Sequence, residues 1–444
     1  MFAKPANWQQ LTPQEKSNLR FDAWEKSADN IPFVSPEAAA CYRERAHRLR
    51  LTYQMAHPDR IVADMSMGAG EHAVRRAGLT GKDIVYNHEA LIEPVLAFNN
   101  ELQPDTAVTI FAYPGQVMDI LDFKSYIWAG QKLPDFQTIQ AVEEEYMTSD
   151  EYADFSADPT AFFMKTYLPR IFGELGPMAM MTDFPRVTEI VDVAGLAIPF
   201  GLPPVQAMLK KLMAAGDEAL KWGGVMGKIG GGVAAAGFPG VPSAFNKTPF
   251  DFLGDTLRGT KSIMLDMYRR PKDLMAATEA YVPILIKTIR QQCEQMGAPA
   301  AMWPLHKGAD GFMSQKQFEK FYWPTFKAVM MGLWEEGIMN YLFVEGTYDS
   351  RLETIAEMPK GSCLWHFDKS DMRKVKDVLS DKFVIAGNVP SSLMTTGTTD
   401  QVKAYCGDLV ELYEDAPGFI LAFGCGFEQS TDEKLAAFRD SVKR

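Results

Sequence analysis

The chain has 444 residues, of which 47% are hydrophobic and 23% charged, as in an ordinary globular protein that can bury a large core. Its formal net charge of −12 argues against a nucleic-acid partner, which would need a basic surface. The five cysteines are few and scattered, so the sequence predicts no disulfide framework and favours a reducing cytoplasm. The N-terminal residues lack the apolar segment of a secretory signal, and no uninterrupted apolar run is long enough to span a bilayer.

Residues 1–59 are predicted to form an N-terminal helical extension, because Thr12–Pro13 and Ser35–Pro36 are helix start signals. Residues 60–444 are predicted to form one α/β domain, in which apolar runs alternate with amphipathic helices, as in parallel sheets. The predicted strands lie at 60–65, 107–113, within 187–200, and at 299–306, 341–345, 363–367, 383–387 and 419–424. Eight strands is the number of a (β/α)8 TIM barrel. The glycine-rich stretch 223–245 lacks the ending of a phosphate-binding loop, and we expect a lid there.

Reactive residues stand where the four C-terminal strands stop: Glu345, then His366 with Asp368, then Asn388, then Cys425. The C-terminal ends of parallel strands meet at one mouth, so we expect these side chains to lie close together. Zinc accepts cysteine, histidine and carboxylate ligands. The sequence therefore predicts a zinc site of Glu345, His366 and Cys425, with Asp368 as an alternative ligand or a partner of one. The plain alternative is a hydrogen-bonded core histidine and a small buried cysteine.

Two further residues are candidates for chemistry at strand ends. His306 follows the strand at 299–306, where it could donate a proton to a leaving group, orient a substrate, or simply hydrogen-bond a loop. Asn388 precedes a proline turn and a helix start within 387–402. Exposed N–H groups there could hold an anionic or carbonyl group of a cofactor, and ordinary turn chemistry is the alternative.

Four stretches resemble the uroporphyrinogen decarboxylase superfamily: VEGTYDSRLE (344–353), WHFDKSDMRKVKDVL (365–379), VIAGNVPSSLMTTGTTDQVKAYC (384–406) and GFILAFGCGFEQSTDEKLAAF (418–438). The resemblance implies a (β/α)8 barrel, in agreement with the strand count. True decarboxylases of this family carry an arginine-rich N-terminal motif that grips the substrate's carboxylates. The corresponding stretch here, RIVADMSMGAGEHAVRRAG (60–78), lacks that motif, so porphyrin decarboxylation is not expected.

The other branch of the superfamily holds zinc-containing, corrinoid-dependent methyltransferases. In the thiol-methylating members, the zinc motif is His-x-Cys followed by a distant cysteine. At the corresponding positions this chain has His366, Asp368 and Cys425. The methyltransferase components of O-demethylases have a Glu–Glu–His pattern instead, and this chain resembles it in part. The last two positions of the pattern fall on Glu345 and His366, and the first falls on Met330. Oxygen ligands in place of sulfur leave a harder zinc, which suits polarising an ether oxygen.

The resemblance thus implies a zinc-dependent methyltransferase that moves a methyl group from a methoxylated aromatic to the Co(I) corrinoid of a partner protein. The corrinoid is expected on a partner because the DxHxxG signature of corrinoid-binding domains is absent from the chain. A thiol or methylamine methyltransferase of the same fold is one alternative, and a non-catalytic protein that docks a corrinoid protein is another. No nucleic-acid or membrane partner is expected, and a homodimer is left open.

Overall fold

The computed structural model describes residues 2–181 and 187–443. Seven parallel strands form one curled sheet in the order β1-β9-β8-β7-β6-β5-β4, and β2 pairs with β3 in a separate antiparallel ribbon. The strands are β1 Val62–Asp64, β2 Tyr126–Trp128, β3 Ile139–Ala141, β4 Ser243–Phe245, β5 Ala300–Leu305, β6 Met339–Val344, β7 Cys363–Phe367, β8 Val384–Val389 and β9 Phe419–Phe423. The predicted α/β class and the four C-terminal strands are confirmed.

Helices fill the connections between the strands. The α-helices span Pro13–Lys26, Pro36–Tyr53, Ala69–Arg75, Gly81–Tyr86, Ile92–Leu102, Gly115–Leu121, Tyr152–Ala157, Pro159–Phe162, Leu168–Ile171, Asp192–Gly201, Pro203–Ala235, Pro249–Asp251, Thr260–Arg269, Pro271–Met296, Gln315–Gln317, Trp323–Trp334, Leu352–Ile355, Met372–Leu379, Ser391–Thr396, Thr399–Leu412 and Asp432–Asp440. Shorter 3₁₀ turns lie at Trp8–Gln10, Ser27–Asn30, His88–Leu91, Ser149–Glu151 and Gly173–Met180. π-Helical turns lie at Phe163–Tyr167, Phe252–Arg258 and Phe318–Tyr322.

The two N-terminal helices close one end of the curled sheet. Thr12 caps the first of them and forms a capping box with Glu15, as the Thr–Pro signal predicts. Phe21, Trp24, Tyr42, Leu49 and Tyr53 of these helices pack with strand residues that include Val62, Leu364, Ala386 and Ile420. Alternate strand residues such as Ala63, Trp365 and Leu421 pack on the other side, in the core that contains most of the surrounding helices. Alternation along each strand therefore separates an inner face from an outer one.

The two edges of the sheet are joined by a short extended segment rather than by a further strand. The Asp105 carboxylate accepts the N–H of Ala63 in β1 over 2.9 Å, and the Ala107 N–H donates to the Pro239 carbonyl, shortly before β4, over 2.8 Å. The prediction of a strand at 107–113 is wrong, because this segment forms no ladder with either edge. A closed eight-stranded ladder is therefore not formed by the described residues.

Two other sequence predictions are wrong. The stretch 187–200 contains the helix Asp192–Gly201 instead of a strand, and the strand next to β5 is β4. The expected lid at 223–245 begins as the last turns of the helix Pro203–Ala235. Glycine weakens a helix by about 1 kcal/mol per residue. That cost is met here by burial of Val225, Ile229 and Val233, at a spacing of four, in a core cluster of their own.

Candidate active site

His306 stands at the C-terminal end of β5, between two carboxylates. Its Nδ1 donates to Asp255 Oδ2 over 2.6 Å, and its Nε2 lies 3.6 Å from Glu345 Oε2, at the end of the neighbouring strand β6. The side chain of His306 is 31% exposed, so the ring can meet a ligand at the mouth. The distance to Glu345 is too long for a hydrogen bond, and the Nε2 proton is therefore available to a substrate.

The surroundings of His306 favour its charged form. Burial lowers the pKa of an imidazole, but the contacts with Asp255 and Glu345 and the nearby charge of Asp251 outweigh burial and raise the pKa of His306 to about 10. Conversely, burial would raise the pKa of Asp255, yet His306 and the ammonium groups of Lys247 and Lys307 hold it well below its usual range. At neutral pH the pair is an imidazolium and a carboxylate.

A helix start before β5 supplies the acidic partners of His306. Thr248 caps the helix Pro249–Asp251, and its side chain accepts the Asp251 N–H over 3.1 Å. The chain continues as the π-helical turn Phe252–Arg258, which carries Asp255 four residues after Asp251 and so on a similar side of the helix. Wider π-helical turns recur at functional sites because they re-aim side chains.

Asp251 fixes the end of β5 from below the site. It is fully buried and accepts the backbone N–H groups of His306 over 3.2 Å and Lys307 over 2.8 Å. The hydroxyl of Tyr322 donates to the same carboxylate over 2.6 Å. Burial, with the charge of Asp255 adding to it, raises the pKa of Asp251. Asp251 therefore holds the backbone that carries His306, whereas Asp255 holds its ring.

Two lysines balance the charge of Asp255. Lys247 Nζ lies 2.8 Å from Asp255 Oδ2, and Lys307 Nζ forms an ion pair with the other carboxylate oxygen. The Lys307 side chain passes against Gly254, where a Cβ would meet its Cδ at 2.7 Å, so the close approach uses the missing side chain. Lysine, aspartate and histidine thus form one connected network at the ends of β4 and β5.

Asp368 lies at the end of β7, next to the strand that ends in Glu345. Its Oδ2 accepts the N–H of Gly346 over 3.3 Å. Burial raises the pKa of Asp368, and the charge of Glu345 adds to that effect, while the Gly346 N–H and the charges of Lys369 and His366 oppose it. The structure therefore brings His306 and Glu345 together at the mouth, with Asp368 electrostatically linked to Glu345.

His366 lies deeper, inside the curled sheet, and both of its ring nitrogens are engaged. Its Nε2 donates to the Phe423 carbonyl over 2.6 Å, and its Nδ1 accepts the hydroxyl of Tyr341 over 2.8 Å. Burial lowers the pKa of His366, against the effects of the Phe423 carbonyl and the charges of Asp64 and Asp368. The ring is thus a neutral, fully hydrogen-bonded core histidine, with no lone pair left for a metal.

Cys425 completes the predicted ligand set but does not join it. Its sulfur is half-buried and lies 3.6 Å from the hydroxyl of Ser391. No group of three histidine, cysteine, aspartate or glutamate side chains could hold a metal ion within residues 2–181 and 187–443. In this arrangement Glu345, His366 and Cys425 do not fit a zinc ion, and zinc binding stays a prediction for metal analysis.

Asn388 turns away from the mouth. Its amide N–H donates to the Ser370 carbonyl over 3.0 Å, and its amide oxygen accepts the hydroxyl of Tyr405 over 2.8 Å. Both residues line an outer cavity of about 260 Å³ together with Asn388. The suggested role in cofactor binding stays a prediction, because the polar atoms of Asn388 serve contacts within the chain.

Aromatic residues lie on the two strands that flank β5. Phe245, 56% exposed, ends β4, and Phe343 of β6 faces inward, with its ring edge-on to His366 at 5.0 Å between centroids. Both strands are hydrogen-bonded neighbours of β5. Phe245 is paired with Met302 and Phe343 with Pro304, so both aromatic residues come before the level of His306 along the sheet.

The residues that sequence reasoning missed are Asp251, Asp255, Lys247 and Tyr322. A signal for the two acids was present, because Thr248–Pro249 starts a helix and the acids follow four residues apart. Nothing in the sequence joined that helix to His306, which lies more than 50 residues further along the chain.

Comparison with known proteins gives a family and a fold. Residues 228–444 match the family model described as uroporphyrinogen decarboxylase (URO-D). Among solved structures the chain is similar to a methyltransferase from Methanosarcina mazei, with a TM-score of 0.55 and 14% sequence identity. That match covers 90% of this chain and 97% of the other, so it supports the fold over almost the whole length. No curated protein sequence matches the chain.

Proposed function

We propose that the chain, whose residues 228–444 belong to the uroporphyrinogen decarboxylase family, transfers a methyl group from a methoxylated aromatic compound to the Co(I) corrinoid of a partner protein. The similarity to a methyltransferase fold and the chemistry at the mouth support methyl transfer. Departure of a phenol from its methyl ether needs a proton on the oxygen, because a phenolate is a poor leaving group unless its charge is stabilised.

The observation that carries this proposal is the His306 imidazolium between Asp255 and Glu345. An acid can protonate a leaving group at little cost in free energy when the pKa values of the two groups are close. The pKa of His306 is raised to about 10, and a phenol such as the tyrosine side chain also has a pKa of about 10. Proton transfer between them is close to balanced, so a phenyl ether matches this acid well.

This chain supplies only the proton of the reaction, whereas the methyl group passes to the corrinoid of the partner protein. The corrinoid, when its carrier docks, supplies a strong nucleophile for the methyl carbon. His306 Nε2 gives its proton to the ether oxygen as the carbon–oxygen bond breaks and the bonding electron pair moves to that oxygen. The product leaves as a neutral phenol, and His306 then regains a proton from water. Asp255 keeps the ring oriented through Nδ1 and stabilises its charge until the proton moves.

The aromatic residues on the strands beside β5 favour an aromatic methyl donor. Phe245 and Phe343 stand on the two strands that flank β5, and aromatic rings prefer to pack edge-to-face or offset against one another. A methoxyarene held between them would present its ether oxygen to His306.

The arginines of the stretch 60–78 support methyl transfer over porphyrin decarboxylation. Arg60 pairs with Asp105 over 2.6 Å, and Arg75 pairs with Glu71 over 2.5 Å. The remaining one, Arg76, bonds Glu101 and Asp432. All three are engaged in ion pairs within the chain, so they are not free to grip the carboxylates of a porphyrin.

The test is a spectral assay of corrinoid methylation. Free cob(I)alamin is mixed with the protein and, in separate cuvettes, a methoxyarene, a methyl thioether and a methylamine. We expect the cob(I)alamin absorbance to decay with the methoxyarene and His306→Gln to abolish that decay. His47→Gln is the matched control, because His47 also pairs with a glutamate, Glu25, at 2.9 Å, but lies in the N-terminal helices.

Each other outcome counts against the proposal. Decay only with the thioether or the amine would favour the thiol or methylamine alternative, and no decay with any donor would favour the docking role. Equal rates for His306→Gln and His47→Gln would remove His306 from the chemistry. Metal analysis of the same samples tests the zinc prediction, for which about one zinc per chain is expected of a mononuclear catalytic site.

A further inference from the structure

A ten-residue helix, Asp192–Gly201, exposes apolar side chains to an unusual extent. The segment before and within it includes Ile190, 87% exposed, Val191, 74% exposed, and Ile198, 62% exposed. Only Pro199 of this helix is buried. Scattered exposed apolar residues are normal, but a contiguous run of them marks a surface that something else covers.

The exposed apolar residues cover a broad sector of the helix, and its buried residue, Pro199, lies on the opposite side. Val193 and Ile198 are five positions apart, so at 3.6 residues per turn they lie about 140° apart around the axis. Leu196, 45% exposed, and Phe200, 43% exposed, occupy the side near Val193. A helix that lies in a bilayer surface buries its apolar side in the boundary between headgroups and acyl chains, so a broad apolar sector suits a lipid surface.

The size of the helix also favours lipid over a second copy of the chain. A ten-residue helix is about 15 Å long and about 10 Å wide, so one side of it offers about 200–250 Å². A stable protein interface needs about 800 Å² from each partner. A cylinder of this length is also much shorter than the hydrocarbon core of a bilayer, which is about 30 Å thick.

The helix Asp192–Gly201 is attached to the body of the protein through the long helix that follows it. The long helix Pro203–Ala235 follows it after a bend of 69°. That long helix is anchored to the body by Val205, Met208 and Ala215 in one cluster and by Val225, Ile229 and Val233 in another. No single helix among the described residues is long and apolar enough to cross a membrane, although the two helices of this bent pair together have the length and composition of a membrane span.

Electrostatic attraction does not explain the exposed apolar surface. No charged residue occurs from position 193 to position 209. Glu189 and Asp192 precede this stretch and Lys210 and Lys211 follow it, so its flanks carry both signs. With a net charge of −12 for the chain, attraction to anionic lipid is not expected to drive binding.

We propose that the helix Asp192–Gly201 lies in the surface of a phospholipid bilayer and holds the protein there as a peripheral, non-spanning anchor. The apolar contact alone provides the binding, so zwitterionic phosphatidylcholine is sufficient and salt has little effect. The barrel mouth with His306 is not part of this surface, and membrane attachment is independent of methyl transfer. This proposal differs from the sequence expectation of no membrane partner, and the experiment below decides between them.

The test is flotation of the full chain with phosphatidylcholine vesicles in a density gradient. We expect the protein to float with the vesicles, and to do so also in about 1 M NaCl, where the Debye length is about 3 Å. Val193→Asp with Ile198→Asp should lower the vesicle-bound fraction by about tenfold or more, because charge is costly in the apolar layer. Val34→Asp is the control, since Val34 is 73% exposed and lies in another part of the chain.

Three results would overturn the proposal. The first is a protein that stays at the bottom of the gradient with and without salt. The second is equal flotation of the double variant and the wild type. The third is a dimer in solution that the double variant dissociates and that does not bind vesicles, which would assign the surface to a second copy. Because all three substituted side chains are exposed, circular dichroism should show the same fold in each variant.

Discussion

Replacing Asp255 with asparagine tests how the acid at the mouth is made. Asp255 accepts the proton-bearing Nδ1 of His306 over 2.6 Å and is the first of the groups that raise the pKa of that imidazole. The amide introduced by Asp255→Asn is neutral, so the ring would lose its closest negative charge while Glu345 stays at 3.6 Å. We expect the pKa of His306 to fall from about 10 toward its ordinary value of about 6.5.

The size of the effect follows from that difference. A fall of about two pKa units corresponds to about 3 kcal/mol of lost preference for the charged form, at about 1.4 kcal/mol per unit. At pH 7 most of the imidazole would then still be charged, but at pH 9 most would not. The rate of methyl transfer by Asp255→Asn should therefore decline above about pH 8, whereas the wild-type rate holds to about pH 10.

The assay combines an NMR titration of the histidine ring protons with a pH–rate profile. The chain has six histidines, so His306→Gln identifies the resonance of His306 by its disappearance. Asp432→Asn is the matched control, because Asp432 also faces a histidine, with His72 Nε2 at 3.6 Å, but belongs to the C-terminal helix Asp432–Asp440. A His306 resonance that still titrates near pH 10 in Asp255→Asn would refute the reasoning.

Other predictions follow from the same network. The free energy of unfolding should fall as pH rises from about 6.5 to about 10, because the unfolded chain releases the His306 proton first, and His306→Gln should flatten that decline in pH-dependent denaturant titrations. Tyr322→Phe should cost about 1–3 kcal/mol in chemical denaturation, since Asp251 Oδ2 loses a buried donor at 2.6 Å. His366→Ala should lower the melting temperature while sparing turnover, because its contacts to Tyr341 and the Phe423 carbonyl are structural, and a loss of methyl transfer in the folded variant would instead favour a zinc ligand. Phe245→Ala should raise KM for methoxyarenes more than it lowers kcat, as measured by initial rates, because Phe245 is an exposed aromatic residue on the strand beside β5 and plays no part in proton transfer.

The strands of the C-terminal half were predictable because each is a compact apolar run that ends in a polar residue. Runs such as CLWHF (363–367) are buried on both faces of the sheet, and a short, continuous apolar run is typical of a strand in a parallel sheet. In the N-terminal half, prediction failed where an apolar stretch could form either a strand or a helix. The stretch 187–200 is as apolar as a buried strand, yet it is an exposed helix, and composition alone does not distinguish the two.

The candidate site was predictable as far as single strands allow. Alternation along β7 placed His366 and Asp368 on the inner side, and the end of β5 gave His306. Depth within the sheet could not be read from alternation, because it depends on the register of neighbouring strands. His366 pairs with Phe343 and Ala386 in that register and lies below the mouth, where Tyr341 and the Phe423 carbonyl reach it.

The acids that make His306 a cation come from a separate helix, and long-range pairing of this kind leaves no local pattern. Asp255 precedes His306 by 51 positions, and a π-helical turn sets its direction. Residues at strand ends can be predicted from a sequence because the strands themselves are recognisable as apolar runs. Their partners from connecting helices become visible only once the chain is folded.

The dependence of methyl transfer on the leaving group tests the central claim most directly. A series of ring-substituted methoxybenzenes, from electron-rich to nitro-substituted, is assayed with cob(I)alamin using the wild type and His306→Gln. If His306 protonates the departing oxygen, the variant should lose most activity with electron-rich ethers and least with nitro-substituted ones, whose phenolates leave without a proton. A loss of the same size across the whole series, or no loss at all, would contradict the claim.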